Sequence, residues 1–497
     1  MGFDSSYMVD VVEAKFSGSN RAQLSQIFAN YKASGNRYLI IHIHGGLVDR
    51  DEAIDGAIQL QALYSPVAST LFPIWETGIF EVLQRNWEQI GADALYQILI
   101  DRVSGAVHAK ATGPDDGMLT RTLPAIGLNE LRESAQGPGE FAGVDTSTWG
   151  STELLSHDER KTFQHRLQGD HELVSGIRHV AAAHHAAVAS GGLRGLLDEG
   201  VALATDFVEG LIQKAGDLLG FPSTVILEII DVVDAVLQRF KDRTDHGLHA
   251  TVTEEILRKF YVDLLGFEVW KQMKNYTVDA FGPDGQQYFG TALIEEFAGL
   301  DAANKRILLV GHSAGSIYAC QILQQAKKQN IAAPIDIVFL AAAVHDDLFA
   351  ETIDAAGPFS NFRSFSMSDT LEQNDNLLGG IGDGTLDWVY PRSLLYLISG
   401  ALEATVDAPL AGLQRDIDLA WQGANLPSVV TARNLLLQPG SNHAVWSTTQ
   451  IPGQDRLSAN AIDHGDFGHP FLSSGNTAGQ PNWSVRGVAQ IAQTAVF

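Results

Sequence analysis

A four-residue apolar run, Ile307–Val310, leads directly into a serine flanked by glycines and then into a helical pattern. Such a run is typical of a central parallel strand that is buried on both faces. The pentapeptide Gly311–Gly315 fits the pattern G-x-S-x-G, and a turn this tight between strand and helix lifts the Ser313 hydroxyl above the sheet. Gly311 and Gly315 are needed because a side chain at either position would collide with the neighbouring strand or helix. This unit predicts a parallel sheet with an exposed polar group at its carboxyl edge.

Short apolar runs alternate with helical patterns at both ends of the chain, which favours an α/β fold with a mostly parallel sheet covered by helices. The expected strands are Val11–Phe16, Tyr38–Ile43, Thr70–Trp75, Ile307–Val310, Ile335–Leu340, Phe362–Met367 and Ala432–Leu437. The expected helices of this region are Leu24–Tyr31, Asp51–Tyr64, Ala314–Lys328 and Val485–Thr494.

The alternation stops between about Gly78 and Lys305, where helical patterns dominate. We therefore expect a core formed by residues 1–100 and 303–497, with a large, mainly helical insertion at 101–302. Two apolar helices are expected inside the insertion, at Val201–Leu218 and Thr224–Phe240, and the second is apolar nearly all round and so must be buried. An insertion between these strands is expected above their carboxyl ends, where open α/β sheets bind ligands.

The composition limits the partners and the compartment. With 33 Lys+Arg and 59 Asp+Glu the formal net charge is −26, which disfavours nucleic acid and anionic lipid as partners. The sequence contains no run of 18 apolar residues, so no membrane span is expected. The single cysteine, Cys320, precludes an intramolecular disulfide and favours a reducing compartment, so a cytoplasmic location is expected. The sequence is also compatible with a secreted, cysteine-poor protein and with assembly into a homo-oligomer.

The unit around Ser313 resembles the nucleophile elbow of the α/β-hydrolase superfamily. Upstream, His44-Gly45-Gly46-Leu47 follows the strand Tyr38–Ile43 and resembles the oxyanion loop of esterases and lipases in that superfamily. The match departs from the longer HGGG form at Leu47, so either Gly46 or Leu47 supplies one N–H donor. The resemblance implies that the Ala314 N–H supplies the second donor. His44, Gly45 and the elbow residue His312 are expected to support this site.

A serine nucleophile needs a base, and the base needs an acid that fixes its tautomer. The resemblance implies the chain order serine, acid, histidine, with the acid just after a late strand. Asp369 follows the expected strand Phe362–Met367 and is the predicted acid, with Asp375 in the same loop as the alternative.

The base should follow the last strand of the sheet, and three histidines do so in the predicted topology. His464 lies in a polar loop beside Gly465, resembles the His-Gly-x-Phe ending of some α/β-hydrolases, and is the predicted base. His443 and His469 are the alternatives. An ordinary histidine pKa of about 6.5 would place the rise of activity near that pH.

His42 and His44 alternate along one strand, as in H-x-H metal sites, but Gly46 and Leu47 stand where further ligands would be needed. We therefore expect no metal and no cofactor. The expected reaction is hydrolysis of a carboxylic ester of a small, apolar acyl compound, through an acyl-enzyme on Ser313. The alternatives are an amide or urethane hydrolase or acyltransferase with the same triad, and a catalytically silent binding or scaffold protein on this fold.

Overall fold

The structure is a computed structural model. The residues that it describes are 2–46, 48–75, 86–87, 89–91, 93–111, 154–189, 221–261, 266–354, 359–377, 389–418, 422–473 and 475–497. The predicted apolar helix Val201–Leu218 and the predicted oxyanion-loop residue Leu47 lie outside these residues.

The strands of the described residues form one eight-stranded sheet in the order β2-β1-β4-β3-β5-β6-β7-β8. Only the edge pair β1–β2 is antiparallel, and every other neighbouring pair is parallel. The mostly parallel α/β sheet predicted from the sequence is therefore confirmed. The strands are β1 Met8–Val12, β2 Lys15–Phe16, β3 Tyr38–Ile43, β4 Ser69–Trp75, β5 Arg306–His312, β6 Ile335–Leu340, β7 Phe359–Met367 and β8 Ala444–Ser447.

The helices of the described residues cover both faces of the sheet and also form a separate helical region. They are α1 Arg21–Ala33, α2 Arg50–Tyr64, α3 Ala94–Ala111, α4 His157–Gly169, α5 His171–Ala189, α6 Phe221–Asp242, α7 Leu248–Phe260, α8 Phe267–Asp279, α9 Phe289–Ala298, α10 Gly315–Lys328, α11 Asp346–Asp354, α12 Asp369–Asn374, α13 Leu394–Leu397, α14 Gln414–Asp418, α15 Pro427–Leu436 and α16 Trp483–Thr494. In the part of the chain that the structure describes, none of them is long and apolar enough to cross a membrane.

Alternating strand residues supply two hydrophobic layers. Leu308 and Val310 of β5 pack into a buried cluster with Ile54 of α2 and Val485 of α16. On the other face, the rings of Phe339, Phe349 and Phe362 contact one another. Because the central strands are apolar on both faces, helices must cover both sides, and the carboxyl ends of the strands remain as the place for a site.

Two predicted strands differ from the structure. The expected last strand Ala432–Leu437 is wrong, since these residues belong mainly to helix α15. Pro427 opens this helix, and the buried residues Val429, Ala432 and Leu436 recur at helical spacing. The expected first strand Val11–Phe16 is divided into β1 and β2 by a turn whose residues both have positive φ, 46° at Glu13 and 70° at Ala14.

The chain divides into two compact units. The first comprises residues 1–81, 269–375 and 408–497 and contains the sheet with its flanking helices. The second comprises residues 82–268 and 376–407, and its regular structure in the described residues is helical. The predicted boundaries of a core and an insertion, at residues 100 and 303, stay a prediction.

Candidate active site

The turn between β5 and α10 holds Ser313 in a strained conformation. Ser313 has a φ of 51°, in the left-handed region that side chains other than glycine rarely adopt. A Cβ on Gly311 would lie 2.7 Å from the Ser316 Cα, and one on Gly315 would collide with the Ile43 carbonyl oxygen. The two glycines therefore allow strand, turn and helix to approach closely enough to force the left-handed serine between them.

Backbone hydrogen bonds from the end of β6 fix this turn. The Ser313 N–H donates to the Leu340 carbonyl at 2.9 Å, and the Ala343 N–H donates to the Ser313 carbonyl at 3.1 Å. The Ser316 hydroxyl also donates to the Ser313 carbonyl at 2.6 Å, and it accepts a hydrogen bond from the Val344 N–H at 3.1 Å. Strain of this kind persists only where the surroundings over-determine the backbone, and it concentrates at functional positions.

The Ser313 side chain is buried at this turn. Only 2% of the residue is exposed, and its Oγ has no hydrogen-bond partner among the described residues. An unpaired hydroxyl held in a strained turn is an arrangement that is unfavourable for stability, and it leaves the Oγ available for another group.

The glycines of the predicted oxyanion loop lie directly against the serine turn. A Cβ on Gly45 would lie 3.1 Å from the Ser313 Cβ, and one on Gly46 would lie 3.2 Å from the Ala314 Cβ and 2.9 Å from the Met273 Sδ. Ala314 precedes the first turn of α10, where backbone N–H groups lack intrahelical acceptors. The structure thus brings Gly46 and Ala314, two of the predicted donor residues, together.

His44 ties this loop to the neighbouring strand β4. Its Nε2 accepts a hydrogen bond from the Trp75 N–H at 3.2 Å, so its Nδ1 carries the proton and donates to the Gly45 carbonyl at 2.9 Å. The Trp75 Nε1–H in turn donates to the His44 carbonyl at 3.1 Å. Burial lowers the pKa of His44 to about 4, so the ring is neutral and holds the loop through fixed hydrogen bonds.

His464 follows β8 in the chain and lies beside the residue that precedes the serine. Its ring centroid is 5.5 Å from that of His312, with 31° between the ring planes. The His312 ring lies between the oxyanion loop and the His464 loop, since a Cβ on either Gly45 or Gly468 would lie 3.3 Å from it. Through His312, the structure places the predicted base next to the serine turn.

The His464 ring is neutral and buried. The residue is 7% exposed, and neither ring nitrogen has a hydrogen-bond partner among the described residues. Burial lowers the pKa of His464 to about 4. Burial, together with the neighbouring His464 imidazole, also lowers the pKa of His312 well below its ordinary value.

The two alternative histidines have other surroundings. His443 directly precedes β8, so it lies at the amino edge of the parallel sheet, whereas Ser313 follows the carboxyl end of β5. Its Nδ1 lies 2.7 Å from the Leu435 carbonyl oxygen. The His469 N–H donates to the Asp466 carbonyl at 3.1 Å in the loop that follows His464. His443 thus lies at the opposite edge of the sheet from Ser313.

The two candidate acids differ in what their carboxylates contact. Asp369 is the first residue of α12, and its Oδ2 accepts a hydrogen bond from the Gln373 Nε2 at 2.7 Å. Asp375 follows α12, is 7% exposed, and accepts a hydrogen bond at 3.1 Å from the backbone N–H of His464. The structure therefore joins Asp375 to the loop that carries the predicted base, through the backbone and not through the ring.

A third carboxylate at this edge of the sheet, Asp346, was missed from the sequence. It follows β6 at the start of α11, is fully buried, and neither of its carboxylate oxygens has a hydrogen-bond partner among the described residues. Burial, followed by the nearby Asp416 carboxylate, raises the pKa of Asp346 well above its ordinary value. Its place six residues after the fully buried strand β6 was the signal that could have found it.

The described residues contain one group of side chains with metal-ligand spacing, in the second compact unit. Ligand atoms of His246, Glu254 and Asp407 lie within 4.8 Å of one another. However, the Arg239 Nη2 donates to Glu254 and to Asp407, at 2.5 Å each, so a guanidinium already occupies one oxygen of each carboxylate. A metal ion at this place would be repelled by that guanidinium.

Comparison with known proteins returns nothing similar: no family model, no curated protein and no solved structure matches the chain.

Proposed function

We propose that the protein is a serine hydrolase of the α/β-hydrolase type that cleaves a carboxylic ester through an acyl-enzyme on Ser313. The observation that carries the proposal is the left-handed Ser313, at the end of a central parallel strand and in contact with Gly45. A serine that only connected a strand to a helix would gain nothing from a strained conformation that costs stability.

In the proposed reaction His464 accepts the Ser313 hydroxyl proton while the serine oxygen forms a bond to the ester carbonyl carbon. The negative charge on the carbonyl oxygen is held by the Ala314 N–H and by the N–H of Gly46 or Leu47. The carbon–oxygen bond to the alcohol then breaks, and His464 returns its proton to the leaving alcohol. Water repeats the sequence on the acyl-enzyme and releases the acid.

The neutral state of His464 suits the role of a base, since a buried imidazole with a pKa of about 4 is unprotonated at neutral pH. Asp369 is the proposed acid of the triad. Asp375 competes for the role because its carboxylate already contacts the His464 loop. His44 acts on the oxyanion loop through Gly45 and Trp75.

A catalytically silent binding protein on the same fold is the second candidate. Among the described residues, neither the Ser313 Oγ nor a His464 ring nitrogen makes a hydrogen bond, so no triad is assembled in this structure. Catalytic hydrogen bonds are often long or misaligned without substrate and tighten in the complex, which keeps hydrolysis as the first proposal. An amide or urethane hydrolase, or an acyltransferase, would use the same groups.

Covalent labelling with a fluorophosphonate tests the proposal. Wild-type protein should be labelled once, Ser313→Ala should not be labelled, and the exposed-serine control Ser65→Ala should be labelled like wild type. Folded wild-type protein that is not labelled would support the silent candidate. Comparing turnover of p-nitrophenyl esters with that of matching anilides then separates an esterase from an amidase.

A further inference from the structure

A buried guanidinium lies away from the serine, in the middle of strand β7. Arg363 is 0% exposed, and all three of its guanidinium nitrogens lack a hydrogen-bond partner among the described residues. An arginine stays protonated in proteins, and a buried charge without a partner is strongly unfavourable. Such a side chain needs a negatively charged group that the described residues do not provide.

A second arginine, Arg456, increases the positive charge around Arg363. Arg363 points to the same face as Phe365, two residues further along β7. Phe365 approaches Gly487 of α16, and a Cβ on that glycine would lie 3.0 Å from the ring and 3.1 Å from the Arg456 Cα. Burial, followed by repulsion from Arg456, lowers the pKa of Arg363 to about 10.

A carboxylate on this face of the sheet is already paired. Asp336 on the neighbouring strand β6 receives two hydrogen bonds from Arg306, at 2.9 and 2.7 Å, and one from Asn361 at 2.9 Å. Asp455, beside Arg456 in the chain, pairs with Arg486 at 3.0 Å. Neither carboxylate therefore neutralises Arg363.

Arg456 lies close enough to repel Arg363 and reaches the surface. It lies in the short helical turn Asp455–Leu457 and is partly exposed, while its Nε is buried and has no hydrogen-bond partner among the described residues. Two guanidinium groups that repel each other, one buried and one at the surface, are both neutralised by a doubly charged anion placed between them. A phosphate group carries about −1.5 to −2 charges at pH 7 and matches the planar donors of arginine.

We propose that Arg363 and Arg456 form a binding site for a phosphate group, with Arg363 as the buried anchor and Arg456 as the donor at the entrance. The site is independent of the Ser313 chemistry. Free inorganic phosphate and a phosphomonoester present the same charged oxygens, so the test includes both.

Isothermal titration calorimetry with inorganic phosphate, against chloride at equal ionic strength, tests the site in the full chain. We expect saturable binding of phosphate to wild type and to Ser313→Ala, and binding weaker by about tenfold or more in Arg456→Met, which loses charge-assisted hydrogen bonds. Arg486→Met, which removes a neighbouring arginine that is already paired, should bind phosphate like wild type. Absence of saturable binding to wild type, or equal binding to Arg456→Met, would overturn the proposal.

Two further measurements complete the test. Phenyl phosphate in place of inorganic phosphate should also bind if the site accepts a phosphomonoester, whereas binding of inorganic phosphate alone would assign a closed site for the free ion. In phosphate-free buffer, Arg363→Met should unfold at a higher temperature than wild type, because it removes an uncompensated buried charge. A lower unfolding temperature for Arg363→Met would mean that the native protein already neutralises Arg363, and would contradict the proposal.

Discussion

The backbone N–H of His464 donates a hydrogen bond of 3.1 Å to the Asp375 carboxylate, which joins two loops that lie 89 residues apart in the chain. Asp375 could therefore position the His464 loop or act as the acid of the triad. Substitutions by asparagine and by alanine distinguish these two roles. An asparagine keeps an oxygen that accepts this hydrogen bond, whereas an alanine does not. If Asp375 only positions the loop, Asp375→Asn should retain most of the turnover and Asp375→Ala should lose it.

The same comparison assigns the acid of the triad. Loss of the acid should lower the catalytic constant by about 10⁴-fold even when the substitution is isosteric. We expect this loss for Asp369→Asn, measured as the catalytic constant on a p-nitrophenyl ester. A loss of that size in Asp375→Asn, with Asp369→Asn active, would transfer the acid role to Asp375.

The strained φ of Ser313 predicts that a glycine at this position gives a more stable protein than an alanine does. Ser313→Gly and Ser313→Ala both remove the hydroxyl, but glycine adopts the φ of 51° without steric cost. We expect Ser313→Gly to have a free energy of unfolding about 1 kcal/mol higher than that of Ser313→Ala, measured by urea denaturation. Equal stability of the two variants would mean that the turn is not strained at this residue.

The close approach of Gly45 to Ser313 predicts that even a methyl group there disturbs the site. Gly45→Ala would place a Cβ 3.1 Å from the Ser313 Cβ and 3.3 Å from the His312 ring. Displacements of this kind at a catalytic centre can cost about 100-fold in kcat/KM. Gly35→Ala is the matched control because a Cβ there meets no atom within 4 Å, and it should keep wild-type activity.

Strands with buried apolar residues on both faces could be predicted from the sequence, and the bounds expected for β3 and β6 agree with the structure. The strand β8 was missed because it has four residues and only partial burial. The serine turn could also be predicted, since it depends on five consecutive residues. The contacts of His464 with Asp375 and His312 could not be predicted from the sequence, because they depend on how loops distant in the chain pack together.

Burial of His464 predicts activity at lower pH than an ordinary histidine would allow. A base must be unprotonated, and a pKa of about 4 in the folded protein keeps the imidazole neutral as the pH falls through 6.5. We therefore expect the acidic limb of kcat/KM to have its midpoint near pH 4, in place of the value near 6.5 expected from the sequence. A midpoint near 6.5, with circular dichroism showing folded protein, would mean that His464 is solvated or is not the base.

Asp346 predicts a variant that is more stable than the wild type. Its pKa is raised in the folded protein because burial and Asp416 disfavour the charged carboxylate. Above the unfolded-state pKa of about 3.9 the unfolded chain loses this proton first, so the folded state is penalised increasingly until the pH passes the folded-state pKa. Asp346→Asn removes that penalty and should raise the free energy of unfolding at pH 7.

The pH dependence distinguishes this effect from a change in packing. The stabilisation by Asp346→Asn, measured by urea denaturation, should shrink as the pH falls below about 4, where the wild-type carboxyl becomes protonated in both states. Asp347→Asn is the control, because its side chain is 71% exposed and should change stability little at any pH. A destabilised Asp346→Asn would contradict the expectation and would mean that the charged carboxylate is held by the protein, as an acid that serves a nearby histidine would be.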